Sequence, residues 1–194
     1  MTGIAKMTGI AKTLGGFALA AAMATVIVAW DGKADGPRYT GDGQLIRPLD
    51  YREWVFLSSG LGMSYTQSPP RADPLFDNVF VSPTAYRAFL DTGRWPDKTV
   101  LVLELRNSRS RESINASGRF QSGFAAMEAH VKDESRFPGK WAFFRFEGSQ
   151  PSGKLIPQTA DCYSCHLEHG AVDTTFVQFY PTLLDVAKAK GTAK

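Results

Sequence analysis

Both cysteines of this 194-residue chain fall inside one pentapeptide, Cys162-Tyr163-Ser164-Cys165-His166, and that placement constrains the fold more than any other feature. Two cysteines so close together cannot staple a small scaffold through several bridges, so the chain must build its own hydrophobic core. The C-x-x-C-H spacing is that of covalent haem attachment: the thiols reach the vinyl groups of one porphyrin, and the adjacent imidazole falls beneath the iron. A helical turn supplies both placements. In a shuffled chain of this composition the pattern arises roughly once in 6,000. A thioredoxin-like dithiol would want a preceding strand in a βαβ surround, whereas Ser152 to Ala160 offers Pro157 and few apolar residues. A zinc site from Cys162, Cys165, His166 and His169 lacks the usual long gap between its Cys and His pairs. The motif therefore predicts one covalently attached haem c, anchored by Cys162 and Cys165, with His166 as the metal ligand.

Composition agrees with a folded, exported domain. The chain is 43% hydrophobic and 21% charged, within the globular range. Its net charge of +3 is too mild and too evenly spread to argue for a nucleic-acid partner. From Thr13 to Trp30 run eighteen residues without a charge, preceded by Lys6 and Lys12. That pattern reads as a secretory signal, with an uncleaved amino-terminal anchor as the alternative. The Ala/Gly-rich character favours the cleaved signal, with Ala34 or Ala29 at the cleavage site. Residues 1–6 and 7–12 repeat one hexapeptide, which makes Met7 an alternative initiator. The expectation is a leader over 1–35 and a periplasmic haem domain over 36–194. That domain carries 19 basic and 17 acidic side chains, a net +2.

Periodicity predicts an α+β fold, a mainly antiparallel sheet with flanking helices. Pro48 to Trp54 reads as a helical turn leading into the apolar run Trp54 to Leu57. Gly60 to Pro74 reads as a loop, because Pro69, Pro70 and Pro74 exclude regular structure. Phe76 to Val81 is strand-like, and Ser82-Pro83 opens a helix that Gly93 closes. Thr99 to Leu105 is a buried strand whose period of two puts Leu101, Leu103 and Leu105 on one face. A polar loop over Arg106 to Gly118 leads to a strand over Phe120 to Val131, with Phe124, Ala126, Glu128 and His130 sharing a face. Trp141 to Phe146 is a further strand, a loop runs from Gly148 to Asp161, and a helix covers Pro181 to Lys190.

The second axial position separates electron transfer from ligand chemistry. Candidates to fill it are His130, His169, Met63 and Met127, of which His169 lies one turn from His166 on the proximal side. The residues alone favour an open site, with a six-coordinate electron-transfer haem ligated by Met127 or His130 as the alternative.

Several segments, taken in order, carry a resemblance. They are Tyr51-Arg-Glu-Trp-Val55, Asn78-Val-Phe-Val-Ser-Pro83 with Tyr86, Thr92-Gly93, and Thr99-Val-Leu-Val-Leu-Glu-Leu105. Glu128-Ala-His-Val-Lys-Asp133, Arg136-Phe137, Trp141-Ala-Phe143, the haem motif and Phe176-Val-Gln-Phe-Tyr-Pro181 follow. Together they resemble the cytochrome P-460 and cytochrome c′-beta group of periplasmic mono-haem c-type proteins. The resemblance implies a haem packed between the sheet and helices, a five-coordinate iron with His166 as proximal ligand, and usually a homodimer. In the P-460 branch, which oxidises hydroxylamine, a strand lysine is joined to the haem; the matching position here is Leu103, which cannot form that bond. The c′-beta branch lacks the cross-link and binds nitric oxide, sometimes carbon monoxide, in an aromatic-capped pocket.

On this reading Leu103 lines an apolar distal face, with Phe56 and Phe80 as capping residues. Glu128 matches a distal glutamate that serves as proton relay in the enzymatic branch. It is expected to point into the pocket as a catalytic acid/base, and the alternative is a sheet residue paired with Arg119 or Arg145. The functional expectation is a binder of nitric oxide, with hydroxylamine oxidation, a weak peroxidase-like activity or electron transfer to a redox partner as alternatives.

Overall fold

The computed structural model describes residues 35–65 and 71–194. The apolar stretch read as a signal or anchor lies outside these residues. Among the described residues no helix is long and apolar enough to cross a membrane.

The described residues fold as α+β, a seven-stranded antiparallel sheet with three α-helices against it. Strands β2 (Val55–Leu61), β3 (Phe76–Val81), β4 (Val100–Arg109), β5 (Phe120–Lys132), β6 (Trp141–Phe146) and β7 (Ser152–Leu155) pair in sequence order. The two-residue β1 (Leu45–Ile46) departs from this meander, returning to the far edge to pair with β7. Helix α1 (Pro83–Thr92) has Pro at its first turn, where the missing N–H costs nothing, and ends on Gly93 at φ 70°. Helix α2 (Asp161–His169) carries the pentapeptide, and α3 (Pro181–Ala189) closes the fold.

The expected strands at 76–81 and 141–146 are found at those residues, and the expected alternation holds from Leu101 to Leu105 on β4 and from Ala126 to His130 on β5. A register shift after Leu105 pairs Phe124 with Arg106, so Phe124 leaves the face it was expected to share with Ala126, Glu128 and His130. The structure corrects the extent of the strands at three places. β4 continues to Arg109, and β2 runs to Leu61, into stretches expected to be loops. Ser152–Leu155, expected as loop, is strand β7. Its sequence carries little apolar signal, and the backbone pairing on both of its sides decides the matter.

Each face of the sheet has its own core. On one, Val102, Met127, Ala129, Phe144 and Phe146 pack against Tyr51 and Trp54 from the lead-in segment. On the other, Leu101, Val81 and Leu57 pack against Phe89 of α1, Leu183 of α3 and the buried Trp95. The register carries rows of side chains straight across this second face. One row is Val81, Leu101, His130 and Phe143; the next is Val79, Leu103, Glu128 and Arg145. A third runs Gly60, Asp77, Leu105 and Ala126. The functional site is built on these rows.

Candidate functional site

Helix α2 begins at Asp161, whose carboxylate suits the positive end of the helix dipole, and ends at Gly170. Its helical turn brings Cys162, Cys165 and His166 together on the wall of a cavity of about 530 Å³. Leu101, Leu103, Val79, Phe143, Phe176 and Phe179 give that cavity a largely apolar lining. The two cysteines form no disulfide, and burial raises the Cys162 thiol.

His166 is held from several directions. Its Nδ1 lies 2.7 Å from the carbonyl oxygen of Thr174. A carbonyl only accepts, so Nδ1 carries the proton and the Nε2 lone pair is left for a metal. The ring sits 4.2 Å from Phe176 and 4.6 Å from Phe143, centroid to centroid. Burial lowers its pKa, which keeps the imidazole neutral. The turn that presents Thr174 is itself fixed: Val172 and Thr175 form an antiparallel bridge, and Trp95 Nε1 donates to Thr175 Oγ1 at 2.8 Å. Gly170 permits the close return. A Cβ there would sit 2.6 Å from the His166 carbonyl oxygen and 2.8 Å from the Thr174 carbonyl carbon.

The candidates for a second axial ligand are dispersed. Met127 lies on the opposite face of the sheet, buried in the other core, with its sulfur 3.3 Å from Arg47 Nη1. His169 is at the exposed end of α2 and does not line the cavity. His130 lies beside His166, ring centroids 5.1 Å apart, stacked on Phe143 and 3.2 Å from Thr174 Oγ1. Burial foremost, with His166 adding to it, drives the His130 pKa well down and keeps it neutral. Met63 lines the cavity and packs over Gly60 of β2.

Leu103 lines the cavity, as expected. Glu128 lies beside it on the same wall and accepts two bonds from Arg145, from Nε at 2.9 Å and Nη2 at 2.7 Å. The pocket orientation and the pairing with Arg145 thus hold together. Phe56 and Phe80 are a correction. They pair with each other across β2 and β3, ring centroids 5.6 Å apart, and Phe80 packs against Tyr51 in the opposite core. The alternation of β3 puts Val79, not Phe80, on the cavity side, so neither ring caps the site. The aromatics that do line it, Tyr65, Phe143, Phe176, Phe179 and Tyr180, were not singled out as site residues. Phe176 and its neighbours were visible only as part of a matching segment.

A family model described as Cytochrome P460 matches residues 48–177. The chain belongs to the cytochrome P460 family. It is accordingly a haem-binding cytochrome, and membership implies haem c. A comparison with curated proteins finds no match. The residues present fit the group the family implies. The cavity falls in the size range of cofactor sites, roughly 300–1,000 Å³. Its lining is largely apolar, and one wall offers two thiols beside an imidazole whose free nitrogen is fixed by the Thr174 carbonyl.

Proposed function

We propose that this cytochrome P460 family member is a five-coordinate c-type haem protein that binds a small neutral ligand such as nitric oxide. Cys162 and Cys165 anchor a single porphyrin by thioether bonds, and His166 ligates the iron. Haem, when bound, supplies the redox-active metal that takes the ligand. The observation that carries this reading is the placement of three of the other axial candidates, Met127 behind the sheet, His130 beside His166 and His169 outside the cavity, while Met63, on the cavity wall, packs over Gly60.

The chain's own residues divide the remaining work. The Thr174 carbonyl orients His166, and a carbonyl partner leaves the imidazole less basic than a carboxylate partner would. Leu103 with Leu101 and Val79 makes an apolar wall that disfavours charged, strongly hydrated ligands. A leucine at this position cannot form the lysine cross-link of the P-460 branch, which weighs against hydroxylamine oxidation. The resemblance to the c′-beta branch adds to this reading a periplasmic homodimer that also binds carbon monoxide.

A second reading, hydroxylamine oxidation with Glu128 as acid/base, is favoured by the place of Glu128 on the cavity wall. The two are separated by adding hydroxylamine and an electron acceptor to the ferric protein. No turnover to nitrogen oxides is expected, while the reduced protein binds nitric oxide stoichiometrically. Sustained reduction of the acceptor would overturn the binder in favour of the enzyme.

A further inference from the structure

Glu128 is not the carboxyl best placed to lend a proton in this cavity, because Arg145 already holds it by two bonds. A second carboxyl, that of Asp77 on β3, also lines the cavity. The β3 register places it on the same sheet face as Val79 and Leu103, with Gly60 and Leu105 as its cross-strand neighbours. Neither neighbour offers a charge or a side-chain donor. Gly60 has no side chain between Asp77 and Met63, so a Cβ added there would meet the Met63 sulfur and lie 3.5 Å from Asp77 Oδ2.

We propose that Asp77 is the hydrogen-bond donor of the site, presenting its protonated carboxyl to the outer atom of a small ligand in the cavity. The ligand class is therefore a neutral molecule of a few atoms with an acceptor at its far end. This inference rests on the open-site reading above.

Its electrostatics agree. Burial, with no compensating cation, pushes the Asp77 carboxyl up to about 6. The charged and titratable groups that line the cavity with it are Tyr65 from the loop after β2, Glu128 paired with Arg145, His130 on β5, His166 with Cys162 and Cys165 on α2, and Tyr180; burial holds His130 neutral. Burial raises the Tyr65 phenol, so it stays neutral across this range. Asp77 is accordingly protonated and donating on the acid side of its midpoint, and an acceptor-only anion on the alkaline side.

Carbon monoxide is the probe, since it carries no proton and any titration belongs to the protein. The reduced, haem-loaded protein is saturated with it and its C–O stretching band followed from about pH 4.5 to about pH 8. The expected result is two bands exchanging with a midpoint near 6. In Asp77→Asn the amide still donates but does not titrate, so the exchange is lost; Asp77→Ser behaves alike. A wild-type band that does not move with pH, or an exchange that survives in both variants, overturns the role of Asp77. Failure of carbon monoxide to bind at all would instead overturn the open-site reading, and the inference with it.

Discussion

Replacing Cys162 and Cys165 together by serine is expected to give a protein that folds and carries no covalent haem. The thiols are the only groups of their kind in the chain, and both sit on the cavity wall beside His166. Serine is close to cysteine in size, and its more polar hydroxyl is tolerated at partly exposed positions of α2, so the helix itself has no reason to fail. Haem then binds only through His166 and apolar contact with Phe143, Phe176 and the leucine wall. A dissociable cofactor makes stability depend on its free concentration, whereas a tethered one does not. A denaturing gel stained for haem peroxidase activity should show the band in the wild type and not in the double variant. Adding excess haem should raise the melting temperature of the variant alone. Retention of haem on the gel would mean that another side chain holds the porphyrin.

The second large effect is expected at Trp95, far from the motif in sequence. Its side chain is 1% exposed, its ring lies 4.3 Å from that of Phe89, and its Nε1 donates to Thr175 Oγ1. Thr175 adjoins Thr174, whose carbonyl fixes His166. Trp95→Ala should cost about 3–5 kcal/mol from lost packing and the cavity left behind. It should also loosen the turn over residues 172–175. Trp95→Phe keeps most of the contact with Phe89 but removes the N–H, for a cost of about 1 kcal/mol. Denaturant unfolding measures the stabilities, and the iron–histidine stretching band of the reduced protein reports the His166 bond. Both variants should broaden or shift that band. A band unchanged in Trp95→Ala, with the stability lost, would make Trp95 a core residue without a part in the site.

Local chemistry explains which parts of this architecture were legible in the sequence. β3 and β6 are Val- and Phe-rich runs bounded by Pro or Gly, and β4 and β5 alternate as far as the register shift after Leu105, so their faces up to there followed from a period of two. That alternation already put Leu103 with Leu101 and Leu105, and Glu128 with His130, while the pairing of β4 with β5 puts the two sets on one side of the sheet. β7 was not legible, because Ser152–Leu155 owes its form to the strands on either side. Phe56 and Phe80 show a different limit. Alternation separates Val79 from Phe80, but only the packing of the lead-in segment against one face decides which of them meets the cavity. The register shift between Phe56 and Ser58 further breaks the alternation of β2. Within the site, the pentapeptide announced itself, whereas its supports come from remote parts of the chain. Phe143, Thr174 and Phe176 meet His166 only in the folded protein, and Asp77 looks in the sequence like any polar residue at a strand position.

The central claim is an iron held by His166 with its other axial position open, and the electron paramagnetic resonance spectrum of the purified ferric protein tests it most directly. The account predicts a high-spin signal without the low-spin rhombic pattern of two strong axial ligands, matched by a five-coordinate optical spectrum on reduction. A low-spin, six-coordinate haem would contradict it, and loss of that low-spin signal in Met63→Leu or His130→Leu would name the residue responsible.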